Sequence, residues 1–250
     1  MLLNELITIT PKQLKPERLK TRGTKRQVAL MKTPDYKALG HGMYASAYAS
    51  EKDPGGVEKI ANPNMIDSLK KDAYFQYISK LAERQKSASN VYFPKIFNLK
   101  VYRGRDGKYT YNVNIEKLLP LDSLSTEEIS MIGEYLFKDF IEGWNQHMKG
   151  MLEDMDMSPE EQKRFLDTER ERNLFLQYFC LLLHDCITEK RMRLQIKDPK
   201  LIEAVRTIKQ VLDVNKKLFL ADIHPENIMV RRGPFIPQIV FTDPVSHLLK

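Results

Sequence analysis

Hydrophobic periodicity changes once along this chain, near Pro120, and that change bounds the architectures open to it. Before Pro120 the segments are short, rich in β-branched and aromatic residues, and punctuated by turn signals. After it they are long and repeat every three to four residues. Tyr36 to Ile60 is rich in small, aromatic and β-prone residues and is broken by "DPGG" at 53–56, which reads as two strands joined by a turn. Residues 64–86 carry helical spacing at Ile66, Leu69, Ala73, Tyr77 and Leu81. "YFPKIFNLKVYRGRDGKYTYNVNIEKL" follows as two strands around "GRDG".

Beyond Pro120, Ser125 and Glu128 stand in capping-box spacing at the head of one helical stretch. Ser158, Pro159 and Glu161 open another. Asp198 caps a third, with Pro199 in its first turn and Leu201, Val205, Ile208 and Leu212 on one face. The expected class is α+β: an antiparallel sheet plus one helix, then a mainly helical part up to residue 218. Two lobes with a cleft are expected, with a hinge near Glu116–Ser123. The expected domains are a basic arm at 1–35, an N-lobe at 36–118 and a C-lobe at 119–250.

At 250 residues and 42% hydrophobic, the chain can bury a core of that size. Its longest apolar run is far short of a membrane span, so no membrane partner is expected. The N-terminus lacks the pattern of a secretory signal. Cys180 and Cys186, six apart in an apolar stretch, fit buried thiols and match neither a metal pair nor a redox pair. A cytoplasmic, monomeric protein is expected. Much of the net charge of +7 lies in residues 12–32. That arm could touch nucleic acid, but no aromatic residue interleaves the charges as a stacking platform needs, so a solvated tail is favoured.

Four patches carry chemistry. In "LGHGMYASAYAS" (39–50), Gly40 and Gly42 let a hairpin approach a ligand closely, and its amides can cover phosphates. In "GGVEKIA", Lys59 shares a strand face with Val57, and inward it needs an anionic partner; an edge lysine facing water is the plainer reading. In "LFLADIHPENIMV" (218–230), Asp222 can accept a hydrogen bond from a substrate hydroxyl. Asn227, five residues on, can bind a hard cation through its amide oxygen. In "IVFTDPVSH", the hairpin around "RRGPFIP" returns Asp243 beside that loop, and two carboxylates with one amide can hold Mg²⁺ against a polyphosphate. His147, His184 and His247 have no metal spacing, "EDMD" at 153–156 reads as a solvated loop, and Trp144 reads as core.

The order of these patches resembles the protein-kinase-like fold over residues 36–246. "DIHPEN" stands where kinases carry D-L-K-P-E-N, with His224 for the lysine as in kinases of the aminoglycoside type, and "TDPV" stands where they carry D-F-G. "LGHGMYASAY", "ENIMV" and "TDPVSH" are similar to the serine/threonine protein kinases of T7-like bacteriophages. The resemblance implies ATP and Mg²⁺ as cofactors, with host proteins as substrates in the host cytoplasm. It implies Asp222 as the residue that orients the acceptor hydroxyl, Asn227 and Asp243 as Mg²⁺ ligands, and Lys59 on the α/β-phosphates. Gly40 and Gly42 would lid the phosphates, Leu39 and Ala47 would cover the adenine, and Met229 would lie beneath it. Ile115 would be the gatekeeper, with the backbone of Glu116 and Leu118 at the adenine edge. Asp72 is the candidate carboxylate for Lys59, with Asp67 and Glu83 as alternatives.

The sequence departs from the pattern at Ala45 for the third glycine, at Leu220–Ala221 before the catalytic aspartate and at Pro244–Val245 after Asp243. Lys250 follows Asp243 by seven residues, so the fold is expected to be truncated after the D-F-G equivalent, without activation-loop control. A small-molecule kinase of the aminoglycoside-phosphotransferase type is the alternative, and a catalytically inactive binding protein is a third possibility.

Overall fold

The computed structural model describes residues 36–41, 45–50, 53–61, 69–87, 89–103, 109–155, 158, 160–161 and 168–247. The basic arm at 12–32, Gly42 and Asp67 lie outside them. The chain forms two compact units. One takes the described residues up to Ser89 together with Pro94–Lys117, and the other takes Asn90–Phe93 and the chain from Leu118 onward.

The first unit is a five-stranded antiparallel sheet with one helix. Its strands are β1 (Tyr36–His41), β2 (Ala45–Ser50), β3 (Asp53–Ala61), β4 (Ile96–Arg103) and β5 (Tyr109–Glu116), in the spatial order β1-β2-β3-β5-β4. Three strands, not two, occupy residues 36–61. "DPGG" is not the turn; it opens β3, where Ser50 pairs with Asp53 and the next pair is Ala49 with Val57. Pro54 lacks an N–H and the glycines bend freely, so the breaker signal appears as a register shift rather than a reversal. The helix α1 (Ala73–Gln85) starts later than the periodicity from residue 64 suggests. Asp72 caps it by accepting from the Phe75 N–H at 2.9 Å, and Leu69–Lys71 is a separate 3₁₀ turn. Phe75, Tyr77, Ile78 and Leu81 of α1 are buried, with the Phe75 and Tyr111 rings 5.0 Å apart.

The second unit is mainly helical: α2 (Thr126–Leu136), α3 (Phe140–Asp154), α4 (Thr168–Thr188) and α5 (Pro199–Val214). Ser125 and Glu128 form the expected capping box, and Ser158 and Glu161 exchange the same pair of bonds. Asp198 caps α5 through the Lys200 N–H, and Leu201, Val205, Ile208 and Leu212 are buried. Arg193 donates to the carbonyls of Cys186 and Ile187 at the end of α4, satisfying acceptors that the helix leaves open. The short strands β6 (Leu119–Pro120), β8 (Ile228–Arg231) and β9 (Gln238–Phe241) form one antiparallel sheet; β7 (Phe219–Ala221) pairs with β10 (Val245–His247). The α+β class read from the sequence, with its antiparallel sheet followed by helices, is the one found. Among the described residues no helix is long and apolar enough to cross a membrane.

Cys180 and Cys186 are buried free thiols on α4, and burial pushes both up to about 12. At pH 8 both are therefore neutral and shielded. The folded protein is expected to show no reaction with a chromogenic disulfide reagent at that pH, and two thiols after denaturation. Rapid modification of the native chain would contradict this packing.

Candidate functional site

In the first unit, cross-strand register lines up residues that lie far apart in sequence. Gly40 pairs with Ala47, Ala47 with Lys59, and Lys59 with Val113, so all four share one face. Val57 and its partner Ile115 lie on that face too, two residues along. Of the predicted lid, adenine-cover, lysine and gatekeeper positions, Gly40, Ala47, Lys59 and Ile115 thus fall on one side of one sheet. β3 sits between β2 and β5, which removes the edge-strand reading of Lys59. Leu39 is the unpaired residue of a register shift between Ala38 and Gly40, and it is half exposed at 49%.

Lys59 is half-buried, and its Nζ lies 4.2 Å from the centroid of the Tyr74 ring, a cation–π contact. Tyr74 is in the first turn of α1, the turn that Asp72 caps. Asp72 is fully buried, and one of its carboxylate oxygens is committed to the Phe75 amide. Glu83 is exposed near the far end of the same helix. The Glu116 N–H donates to the Lys95 carbonyl at 2.9 Å, and its carboxylate accepts from the Lys95 N–H at 2.9 Å, which fixes the end of β5. Sequence reasoning missed Tyr74 as the surface beneath Lys59; its spacing from Asp72 reveals this only once the helix start is known.

In the second unit the loops after β7 and β9 are laced together. The Asn227 carbonyl accepts from the Thr242 N–H at 3.1 Å, the Thr242 Oγ1 at 3.0 Å and the Asp243 N–H at 3.3 Å. The Asp222 N–H donates to the Pro244 carbonyl at 3.0 Å, and Asn227 Nδ2 donates to the Asp222 carbonyl at 3.1 Å. These bonds bring the backbones of Asp222, Asn227 and Asp243 together. His224 belongs to it as well: its Nε2 is 2.8 Å from Asn227 Nδ2 and 3.5 Å from Asp222 Oδ1. The Asp222 and His224 side chains remain 34% and 41% exposed, open to a substrate. Thr242 was not singled out by sequence, and only the adjacent "TD" step marked it. Met229, on β8, pairs with Pro120 and Val240 and is half-buried; Leu118 is half-buried two residues before Pro120.

The donor set suits Mg²⁺. Asn227 turns its amide nitrogen toward the Asp222 carbonyl, which leaves the amide oxygen as the end that could meet a hard cation. An all-oxygen set favours a hard ion over zinc. Among the described residues no cluster of three or more His, Cys, Asp or Glu is arranged for a metal. Two protein oxygens are enough for Mg²⁺ when phosphates complete the shell. A separate cavity of about 420 Å³ lies among α2, α3 and α4, lined by Thr126, Glu127, Ser130, Met131, Ile141, Trp144, Glu171 and Phe175. It contains none of the candidate residues.

No protein-family model matches the chain. No curated protein matches it either. Among solved structures, the chain is similar to a thermostable mutant of an aminoglycoside phosphotransferase in its apo form, at 9% identity, a TM-score of 0.36, and coverage of 88% of this chain and 72% of that one. A likeness of that degree fixes no property of this chain.

Proposed function

We propose that this chain is an ATP-dependent phosphotransferase of the protein-kinase-like type that transfers the γ-phosphate to protein serine or threonine hydroxyls. The observation that carries the reading is the lacing of Asp222, Asn227 and Asp243 through the Asn227 carbonyl and the Pro244 carbonyl. It is supported by the row of Gly40, Ala47 and Lys59 on one sheet face. Asp222 orients the acceptor hydroxyl and takes its proton as the new O–P bond forms and the bond to the ADP leaving oxygen breaks. Lys59 holds the α/β-phosphates, while Gly40 and Gly42 cover them. In the first unit Leu39 and Ala47 are assigned to cover the adenine, with Ile115 as gatekeeper and the Glu116 backbone for the adenine edge; in the second unit Leu118 and Met229 are assigned to the same base. Asn227 and Asp243 hold Mg²⁺, which supplies charge neutralisation on the polyphosphate when bound. Such chemistry asks the protein mainly for alignment.

A small-molecule acceptor is the second reading, favoured by His224 in the position where D-L-K-P-E-N kinases carry lysine. Incubating the full chain with γ-labelled ATP, Mg²⁺ and a bacterial lysate separates the two. Label on lysate proteins is expected. Label confined to small metabolites would transfer the proposal to the second reading, and nucleotide binding without any transfer would make the chain a binding protein.

A further inference from the structure

The imidazole of His224 is placed where it can decide which end of the Asn227 carboxamide meets a cation. Its Nε2 lies 2.8 Å from Asn227 Nδ2, and its Nδ1 lies 3.3 Å from the Glu226 N–H. A neutral imidazole carries one N–H and one lone pair, so it cannot accept at both nitrogens. Two arrangements are open, and each leaves one contact unmatched. With the lone pair on Nε2, the ring accepts one Asn227 Nδ2 hydrogen while the other goes to the Asp222 carbonyl at 3.1 Å. The amide oxygen then stays available to a ligand. With the proton on Nε2, Nδ1 accepts from Glu226, and Asn227 must reverse so that its oxygen meets the ring. That reversal spends the oxygen on His224 and sets it against the Asp222 carbonyl, two acceptors within hydrogen-bond distance. Ring tautomer and amide orientation are therefore one coupled choice. The Asp222 carbonyl, which needs the nitrogen end of the amide, selects the first arrangement; its cost is an Nδ1–H facing the Glu226 N–H at the longer distance of 3.3 Å.

Resting on the phosphotransferase reading, we propose that His224 is a positioning residue: by accepting from Asn227 Nδ2 it holds the carboxamide oxygen toward the cation. In this role it acts through Asn227.

The test uses the full chain, Mn²⁺ as the spin probe and ADP. Bound Mn²⁺ is counted by electron paramagnetic resonance, and the Asn227 side-chain NH₂ signals are followed by ¹H–¹⁵N NMR in the metal-free protein. His224→Leu and His224→Phe both remove the acceptor, and Phe keeps a planar ring should Leu fail to fold. Each is expected to weaken Mn²⁺ binding in the ADP complex about tenfold, the usual scale for an outer-shell partner. Both should leave metal-free ADP affinity unchanged and move the NH₂ signals toward free-amide positions. His224→Gln, which offers an acceptor oxygen, is expected to restore Mn²⁺ affinity. If Leu and Phe hold Mn²⁺ as tightly as wild type, the inference is overturned while the functional reading stands. If wild type binds no Mn²⁺ with ADP, both fall together.

Discussion

Replacing Asp222 by alanine is expected to slow phosphoryl transfer about a hundred- to ten-thousandfold while ATP affinity stays within about twofold. The backbone of Asp222 helps to hold both loops: its N–H donates across to the Pro244 carbonyl, and its carbonyl accepts from Asn227 Nδ2 within its own loop. Alanine keeps both bonds, so the loop persists and only the carboxylate is lost. Single-turnover transfer from labelled ATP, with nucleotide affinity measured in parallel, reads the two effects separately. A variant as fast as wild type would remove Asp222 from its assigned role. A variant that no longer binds ATP would show that the residue serves structure instead.

The largest stability effect is expected where α2 meets α3. A Cβ built on Gly133 would overlap the Phe140 ring. That ring sits among Phe137, Phe175, Tyr178 and Phe179, with centroids 5.4–6.2 Å away. Phe140→Ala empties this site and is expected to cost about 3–5 kcal/mol. Gly133→Ala overpacks it and is expected to cost about 1–3 kcal/mol, in spite of alanine's better helix propensity. In the double variant the new methyl grows into the space left by the phenyl, so the two costs do not add. The coupling is expected to exceed about 1 kcal/mol in urea denaturation curves. Additive losses would mean that Gly133 and Phe140 do not share that space.

What the sequence revealed was mostly local. The capping residues Ser125, Glu128, Ser158, Glu161 and Asp198 act within three residues of themselves, and each was readable. The return of Asp243 to the loop that carries Asp222 and Asn227 was readable because one hairpin, β8 to β9, joins them. The interruption between α2 and α3 was not. The apolar spacing runs on through "GEYLFKDFIEGW", yet the chain breaks where Asp139 takes a left-handed conformation with φ 51°. The cause is distant: Lys138 donates to the Gln195 carbonyl, Lys197 donates to the Leu136 carbonyl, and Phe137 bridges Ile196. Asn90–Phe93 falls inside the N-lobe expected at 36–118 but packs in the second unit. Arg231 donates to the carbonyls of Val91 and Phe93, the Phe241 N–H donates to the Tyr92 carbonyl, and the Tyr92 hydroxyl donates to Asp198. Partners more than a hundred residues away leave no trace in a local pattern. The same holds for the row Gly40–Ala47–Lys59: alternation along β3 gave the face of Lys59, but only strand register brings the other two beside it.

The central claim is that Asn227 and Asp243 bind the cation of a metal–nucleotide complex, and calorimetric titration of ATP with and without Mg²⁺ addresses it most directly. Wild type is expected to bind ATP about tenfold more tightly when Mg²⁺ is present, and Asp243→Ala to lose that gain while retaining metal-free affinity. A wild type that binds no ATP, or an Asp243→Ala variant that keeps the full Mg²⁺ effect, would contradict the account.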